Sequence, residues 1–238
     1  MVKGVVYVGS NDNHLYAFNA GTGHQLWNAT TAGPIYSSPA VANGMVYVGS
    51  SRVYAFNAAT GAVVWSSPLG TIQSSLAVAK GAVFVGTQGG LVAFDAGTGS
   101  VLWSASGSYR SPGVSNGVVF AAGEDDFNAF DAATGLQLWS QRFGAGESSP
   151  VVANGVVYVA DGSGISATNA ATGQSLWSGS TGGIVYSSPA VANGVLYLGS
   201  DDDNLYAFGL PPHSTSARAV LPPSRPNPAA LKPDPKLH

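Results

Sequence analysis

Residues 55–65 read AFNAATGAVVW, and this eleven-residue block occurs in five versions along the 238-residue chain. The others are AFNAGTGHQLW (17–27), AFDAGTGSVLW (93–103), AFDAATGLQLW (129–139) and ATNAATGQSLW (167–177). Their tryptophans, Trp27, Trp65, Trp103, Trp139 and Trp177, stand 38, 38, 36 and 38 residues apart. A sixth copy starts at Ala207-Phe208 and stops at Gly209. A fixed period of this kind marks a repeat architecture, in which each unit buries its apolar faces against its neighbours.

Two further blocks keep the same period. One is GVVYV (4–8), GMVYV (44–48), GAVFV (81–85), GVVFA (117–121), GVVYV (155–159) and GVLYL (194–198). The other is SSPAVA (37–42), SSLAVA (74–79), SPGVS (111–115), SSPVVA (148–153) and SSPAVA (187–192). Each repeat thus resolves into four short strands: the Ser-Pro segment, the Val-Tyr-Val run, a Leu-Tyr-Ala-Phe run, and a last strand that ends at the Trp. The second strand is apolar on both faces, as a strand buried between layers must be. Four strands of ~5–6 residues with tight turns need about 40 residues, which the period supplies.

The turns carry their own signal. Asn43-Gly44, Asn116-Gly117, Asn154-Gly155 and Asn193-Gly194 link first to second strands, and Asn-Gly accepts the positive φ angles of a two-residue hairpin. The Thr-Gly pairs close the third-to-fourth turns. Ahead of them stand Asn19, Asn57, Asp95, Asp131 and Asn169, whose side chains can bond the turn backbone. Five copies assign these residues to structure rather than catalysis. One Trp per unit, on the outermost strand, buries ~150–250 Å² and can dock each sheet on its neighbour.

The sequence therefore predicts an all-β protein, a β-propeller of about six four-stranded blades over residues 1–210, with three-stranded terminal blades. The strand count is twenty-two, which is no multiple of four. It leaves two arrangements open, a closed six-bladed ring or an arc of a larger propeller. An arc exposes apolar faces and sheet edges and is expected to self-associate. Residues 211–238 break the pattern: eight of the fourteen prolines lie there, with four basic side chains against one acidic. That segment reads as a disordered, basic, Pro-rich tail.

The block Ala-x-Asp/Asn-x-x-Thr-Gly-x-x-x-Trp resembles the tryptophan-docking motif of the PQQ-like (quinoprotein alcohol dehydrogenase-like) β-propeller family, over residues 4–210. The resemblance implies an eight-bladed relative and a periplasmic, cell-envelope or extracellular setting. No leader is legible in Met1–Val8, so the sequence alone reads as cytoplasmic or as lacking its true beginning. The family's dehydrogenases hold PQQ beside calcium on the propeller axis, several under a vicinal disulfide. This chain has no Cys and offers no Glu, Asn and Asp set that maps onto calcium ligands.

Three function classes follow. The first is a non-catalytic binding or scaffold module for a protein or extracellular ligand, with no cofactor. The second is a fragment of a PQQ-dependent alcohol or sugar dehydrogenase, with PQQ and calcium. The third is a glycan- or polymer-binding surface module. Nucleic acid is not an expected partner: residues 1–210 carry five basic and eleven acidic side chains, and no basic cluster. No run of apolar residues is long enough for a membrane-spanning helix.

Sites are sought where the repeat varies. The position before each Ser-Ser-Pro equivalent is Tyr36, Gln73, Tyr109, Glu147 or Tyr186, and the next is Ser except at Arg110. These six side chains are proposed to ring a polar funnel at the channel mouth; the bland reading is a set of solvated strand ends. The acidic tips Asp12, Glu124-Asp125-Asp126 and Asp201-Asp202-Asp203 lack calcium-loop spacing and read as solvated turns. His14, His24, His213 and His238 show no metal or triad spacing. Asn28-Ala29-Thr30 is a formal glycosylation sequon. No catalytic residue and no metal ligand is assigned.

Overall fold

The computed structural model describes residues 2, 4–142 and 148–210. Glu147 and the Pro-rich segment 211–238 lie outside the described residues. Within them the chain forms twenty-two strands and no helix. Blade 1 is β1 (Val5–Gly9), β2 (His14–Asn19) and β3 (Gln25–Thr30); blade 2 is β4 (Ala40–Ala42), β5 (Met45–Gly49), β6 (Arg52–Asn57) and β7 (Val63–Pro68). Blade 3 is β8 (Ala77–Ala79), β9 (Ala82–Thr87), β10 (Gly90–Asp95) and β11 (Val101–Ser106). Blade 4 is β12 (Gly113–Ser115), β13 (Val118–Ala122), β14 (Asp126–Asp131) and β15 (Gln137–Arg142). Blade 5 is β16 (Val151–Ala153), β17 (Val156–Ala160), β18 (Gly164–Asn169) and β19 (Ser175–Ser180), and blade 6 is β20 (Ala190–Ala192), β21 (Val195–Gly199) and β22 (Leu205–Gly209). Each blade is an antiparallel meander in sequence order. The inner strands β4, β8, β12, β16 and β20 touch one another in succession about the axis.

The turn chemistry appears in the backbone angles. Asn43 and Gly44 have φ of 50° and 75°, and the pair recurs at 116–117, 154–155 and 193–194. Both central residues left-handed is the two-residue turn whose twist matches a hairpin. Blade 3 places Lys80-Gly81 there, with Lys80 held at φ 49°.

The core is divided into five apolar clusters, each between two successive blades. Strand alternation sends one set of side chains to each side of a blade. In blade 2, Val46, Val48, Tyr54 and Phe56 face blade 1, while Tyr47, Val53, Ala55 and Trp65 face blade 3. Each Trp then reaches across. The Nε1–H of Trp27, Trp65, Trp103 and Trp139 donates to the carbonyl of Ala58, Ala96, Ala132 and Ala170 in the next blade, at 3.1, 2.9, 3.0 and 3.0 Å. The indole lies over the turn glycine of that blade. A Cβ built on Gly61, Gly99, Gly135 or Gly173 falls 2.6–2.7 Å from the ring of the preceding Trp. Tyr7 and Tyr47 also donate to Ala58 and Ala96, at 3.0 and 3.1 Å.

The six sheets form an open arc. Val8 of blade 1 is 43% exposed and Leu205 of blade 6 is 57% exposed, whereas their counterparts Val48 and Val53 are fully buried. Of the two arrangements the strand count left open, the structure adopts the arc.

Gly99 and Gly81 separate two costs. Both have positive φ, 73° and 79°, but only at Gly99 would a methyl meet an indole, that of Trp65; at Gly81 nothing lies within 4 Å. Gly81→Ala is expected to cost about 1 kcal/mol of left-handed strain. Gly99→Ala adds a packing clash of about 1–3 kcal/mol. Urea unfolding of both variants should show the larger loss at Gly99.

Candidate functional site

The repeat's two serines have different structural tasks at the inner end of each blade. The first straps the linker to the second strand: Ser37 Oγ donates to the Gly49 carbonyl at 3.1 Å and accepts from its N–H at 2.8 Å. Ser187 does the same with Gly199. The second stitches blades together. Ser75 Oγ accepts from the Ser38 N–H at 3.1 Å, Ser111 Oγ from the Ser75 N–H at 2.8 Å, and Ser188 Oγ from the Ser149 N–H at 3.0 Å.

Blade 4 departs from this scheme. Its linker runs only from Ser106 at the end of β11 to Ser111, against Thr30 to Ser38 before blade 2. The short chain crosses Gly86 so closely that a Cβ there would lie 2.0 Å from the Arg110 carbonyl. The Arg110 N–H donates directly to the Ala122 carbonyl at 2.9 Å, where other blades use the serine hydroxyl. The strap at this position is therefore made by the backbone, and Arg110 is exposed.

A cavity of about 280 Å³ opens at this point between blades 3 and 4. Thr71, Gln73, Ser74, Thr87, Gln88, Ser108, Tyr109, Arg110 and Ser111 line it. Gln73, Tyr109 and Arg110 of the proposed ring are thus brought together. Tyr36 and Tyr186 are not; they stand 55% and 56% exposed on the linkers into blades 2 and 6. Glu147 lies outside the described residues.

Tyr109 turns inward. It is 9% exposed and packs edge-on against Phe130 with ring centroids 5.8 Å apart. The shortened linker explains this. Ile35 and Ile72 plug the gap beneath the linkers into blades 2 and 3, taking N–H bonds to Ser10 and Ser50 carbonyls. The linker into blade 4 uses Tyr109 as that plug, its N–H bonded to the Thr87 carbonyl. Burial, then the nearby Asp126 charge, raises the Tyr109 hydroxyl above the ordinary phenol range.

The aspartates ahead of the Thr-Gly pairs are engaged in turns. Asp95 Oδ1 accepts from the N–H groups of Gly97 and Thr98 at 3.0 and 2.8 Å and from the Thr98 hydroxyl at 2.9 Å. Asp131 is held in the same way by Ala133 and Thr134. Asn19, Asn57 and Asn169 make the equivalent backbone bonds. Asp202, by contrast, reaches out of its own hairpin: its Oδ2 accepts from the Tyr206 hydroxyl within the hairpin at 2.5 Å and from the Gly182 N–H outside it at 2.9 Å. Sequence reading grouped Asp202 with the solvated tips; only its likeness to the 9–18 hairpin could have flagged it.

A profile described as outer membrane protein assembly factor BamB, of PQQ type, matches residues 2–106, 49–145 and 124–210. The chain belongs to that family. Among solved structures it is similar to BamB from Moraxella catarrhalis, with a TM-score of 0.72 and 19% identity over 92% of this chain and 73% of that one. The computationally designed Ika8 protein gives a TM-score of 0.75 at 18% identity, over 88% and 69% of the two chains. The quinohemoprotein alcohol dehydrogenase ADHIIG from Pseudomonas putida HK5 gives 0.59 at 21% identity, over 73% of this chain and 40% of that one. No curated protein sequence matches. At these identities the structural likeness establishes the PQQ-like propeller fold.

The residues at the cavity do not fit a quinone–calcium pair. Calcium needs six to eight oxygens, carboxylates prominent among them. The described lining residues offer hydroxyls, two amides and a guanidinium, and none of them is a carboxylate. Among the described residues no three His, Cys, Asp or Glu side chains are grouped as a metal site.

The turn aspartates set a pH dependence. Hydrogen bonds from Thr98 and Gly97 hold Asp95 below the usual carboxylate range; those from the Thr134 hydroxyl, then its N–H and Ala133, do so for Asp131. A depressed folded pKa gives stability that is present above the unfolded carboxylate pKa and lost as pH falls through the folded one. Asp95→Asn with Asp131→Asn keeps the turn bonds, as Asn19 does. The double variant is expected to melt like the parent at neutral pH and to lose less on acidification from about pH 5 to about pH 2.5.

Proposed function

We propose that this protein is a non-catalytic binding module of the cell envelope, and that it holds a segment of a partner protein at the axial mouth between blades 3 and 4. The supporting observation is the cavity itself. Arg110, Gln73 and Gln88 supply N–H donors, and Thr71, Thr87 and the serines supply hydroxyls. A site whose described lining is rich in donors suits backbone carbonyls or an acidic side chain of an extended segment. Exposed Tyr36 and Tyr186 flank the same level of the arc, and Tyr and Arg are the residue types that anchor protein interfaces. The envelope setting is supported by the family's description as an outer membrane assembly factor. Among the described lining residues no nucleophile is paired with a base, and their donor set favours a binding role over the dehydrogenase reading.

Photo-crosslinking tests this reading. A benzophenone amino acid at Gln73 is expected to give one discrete protein adduct in the envelope fraction of the native host. The same group at Leu136, 68% exposed on a third-to-fourth strand turn, is expected to give none. Arg110→Ser, which restores the residue of the other repeats, should abolish the adduct while the protein stays folded by circular dichroism. Equal adducts from both positions, capture of a glycan in place of a protein, or alcohol oxidation with added PQQ and calcium would each overturn it.

A further inference from the structure

Two hairpins at opposite ends of the arc are built alike. Residues 9–18 read GSNDNHLYAF and residues 199–208 read GSDDDNLYAF. Asn13 and Asp203 occupy the same left-handed position, with φ of 70° and 64°. The His14 N–H bonds Asp12 Oδ1 at 3.1 Å, and the Asn204 N–H bonds Asp202 Oδ1 at 3.2 Å. Tyr16 donates to Asp12 Oδ2 at 2.6 Å, and Tyr206 donates to Asp202 Oδ2 at 2.5 Å.

In blade 6 this pair grips the preceding blade. The Gly182 N–H, on the linker leaving blade 5, points at both Asp202 Oδ2 and the Tyr206 hydroxyl, each 2.9 Å away. The grip selects glycine, because a Cβ at 182 would fall 2.3 Å from Asp202 Oδ2. Blade 2 has a shorter hairpin without the aspartate; there Tyr54 alone takes the N–H of Ala32, at 3.0 Å.

In blade 1 the pair faces solvent. Around it lies the side of the sheet that elsewhere packs on a preceding blade: Val6, Val8, Tyr16 and Phe18, all partly or largely exposed, against Val46, Val48, Tyr54 and Phe56, all at most 8% exposed. We infer that this face of blade 1 is a docking surface for a further blade of the same repeat class, whose outgoing Thr-Gly linker gives its glycine N–H to the Asp12–Tyr16 pair. A second copy of this chain does not supply that linker, because its Thr181-Gly182 is already held by its own Asp202 and Tyr206. The lowered Asp12 and raised Tyr16 ionisations, caused first by their mutual bond, match those of Asp202 and Tyr206.

The test compares the full chain with an extended one in which a duplicate of residues 151–193 runs directly into Gly4. This adds one blade, its Thr-Gly linker and an inner strand for blade 1. Asp12→Asn and Tyr16→Phe are expected to leave the melting midpoint of the native chain within about 1 °C and to lower that of the extended chain by about 3 °C or more. Asp202→Asn, the control, should lower both. Equal effects of Asp12→Asn in the two chains, or an added blade that melts separately, would overturn the inference. So would light scattering in which Asp12→Asn dissolves an oligomer of the native chain, since the pair would then hold a second copy.

Discussion

The structure depends on one backbone carbonyl in each of blades 2 to 5. It belongs to the alanine that follows the Asp or Asn of the Thr-Gly turn, and it accepts the indole N–H of the preceding blade. An indole can be buried at little cost only when its N–H is satisfied. The turn therefore does two things at once: it reverses the chain, and it presents an acceptor and a bare glycine surface to a neighbour. In blades 2 and 3 a tyrosine hydroxyl shares the same carbonyl. Sheets this small could not stand alone, and the interlock turns each into a face for the next.

At the axis a second, weaker stitch runs through hydroxyls. Serine is the repeat's choice because its Oγ can both donate to and accept from a strand end, as Ser37 does with Gly49. Once a linker is short enough for the backbone to make that bond itself, the position no longer needs a serine. Arg110 occupies that position in blade 4, and the cavity beside it owes its chemistry to this local departure from an otherwise repeated scheme. The proposed binding role thus rests on where the repeat is broken, while the scaffold rests on where it is kept.

Most of the fold was legible from the chain because its signals are local and repeated: Asn-Gly hairpins, Asx-capped Thr-Gly turns and one Trp per unit. The open arc was legible only as one of two arrangements, because the strand count is the same whether or not the ends meet. The inward turn of Tyr109 was not read, although the count of residues from Ser106 to Ser111 carries it: a linker that short has no separate residue to serve as the plug that Ile35 and Ile72 provide. The Asp202 clamp was missed for a different reason. Its acceptor role lies between a hairpin tip and a glycine twenty residues earlier in the chain, and composition makes such a tip look like ordinary solvated charge.

The interlock is tested most directly by hydrogen exchange at the indole nitrogens, followed by nuclear magnetic resonance. The indole protons of Trp27, Trp65, Trp103 and Trp139 should exchange far more slowly than that of free tryptophan, and Gly99→Ala should accelerate exchange at Trp65 ahead of the others. Indole protons that all exchange at the free rate in the folded protein would contradict the account.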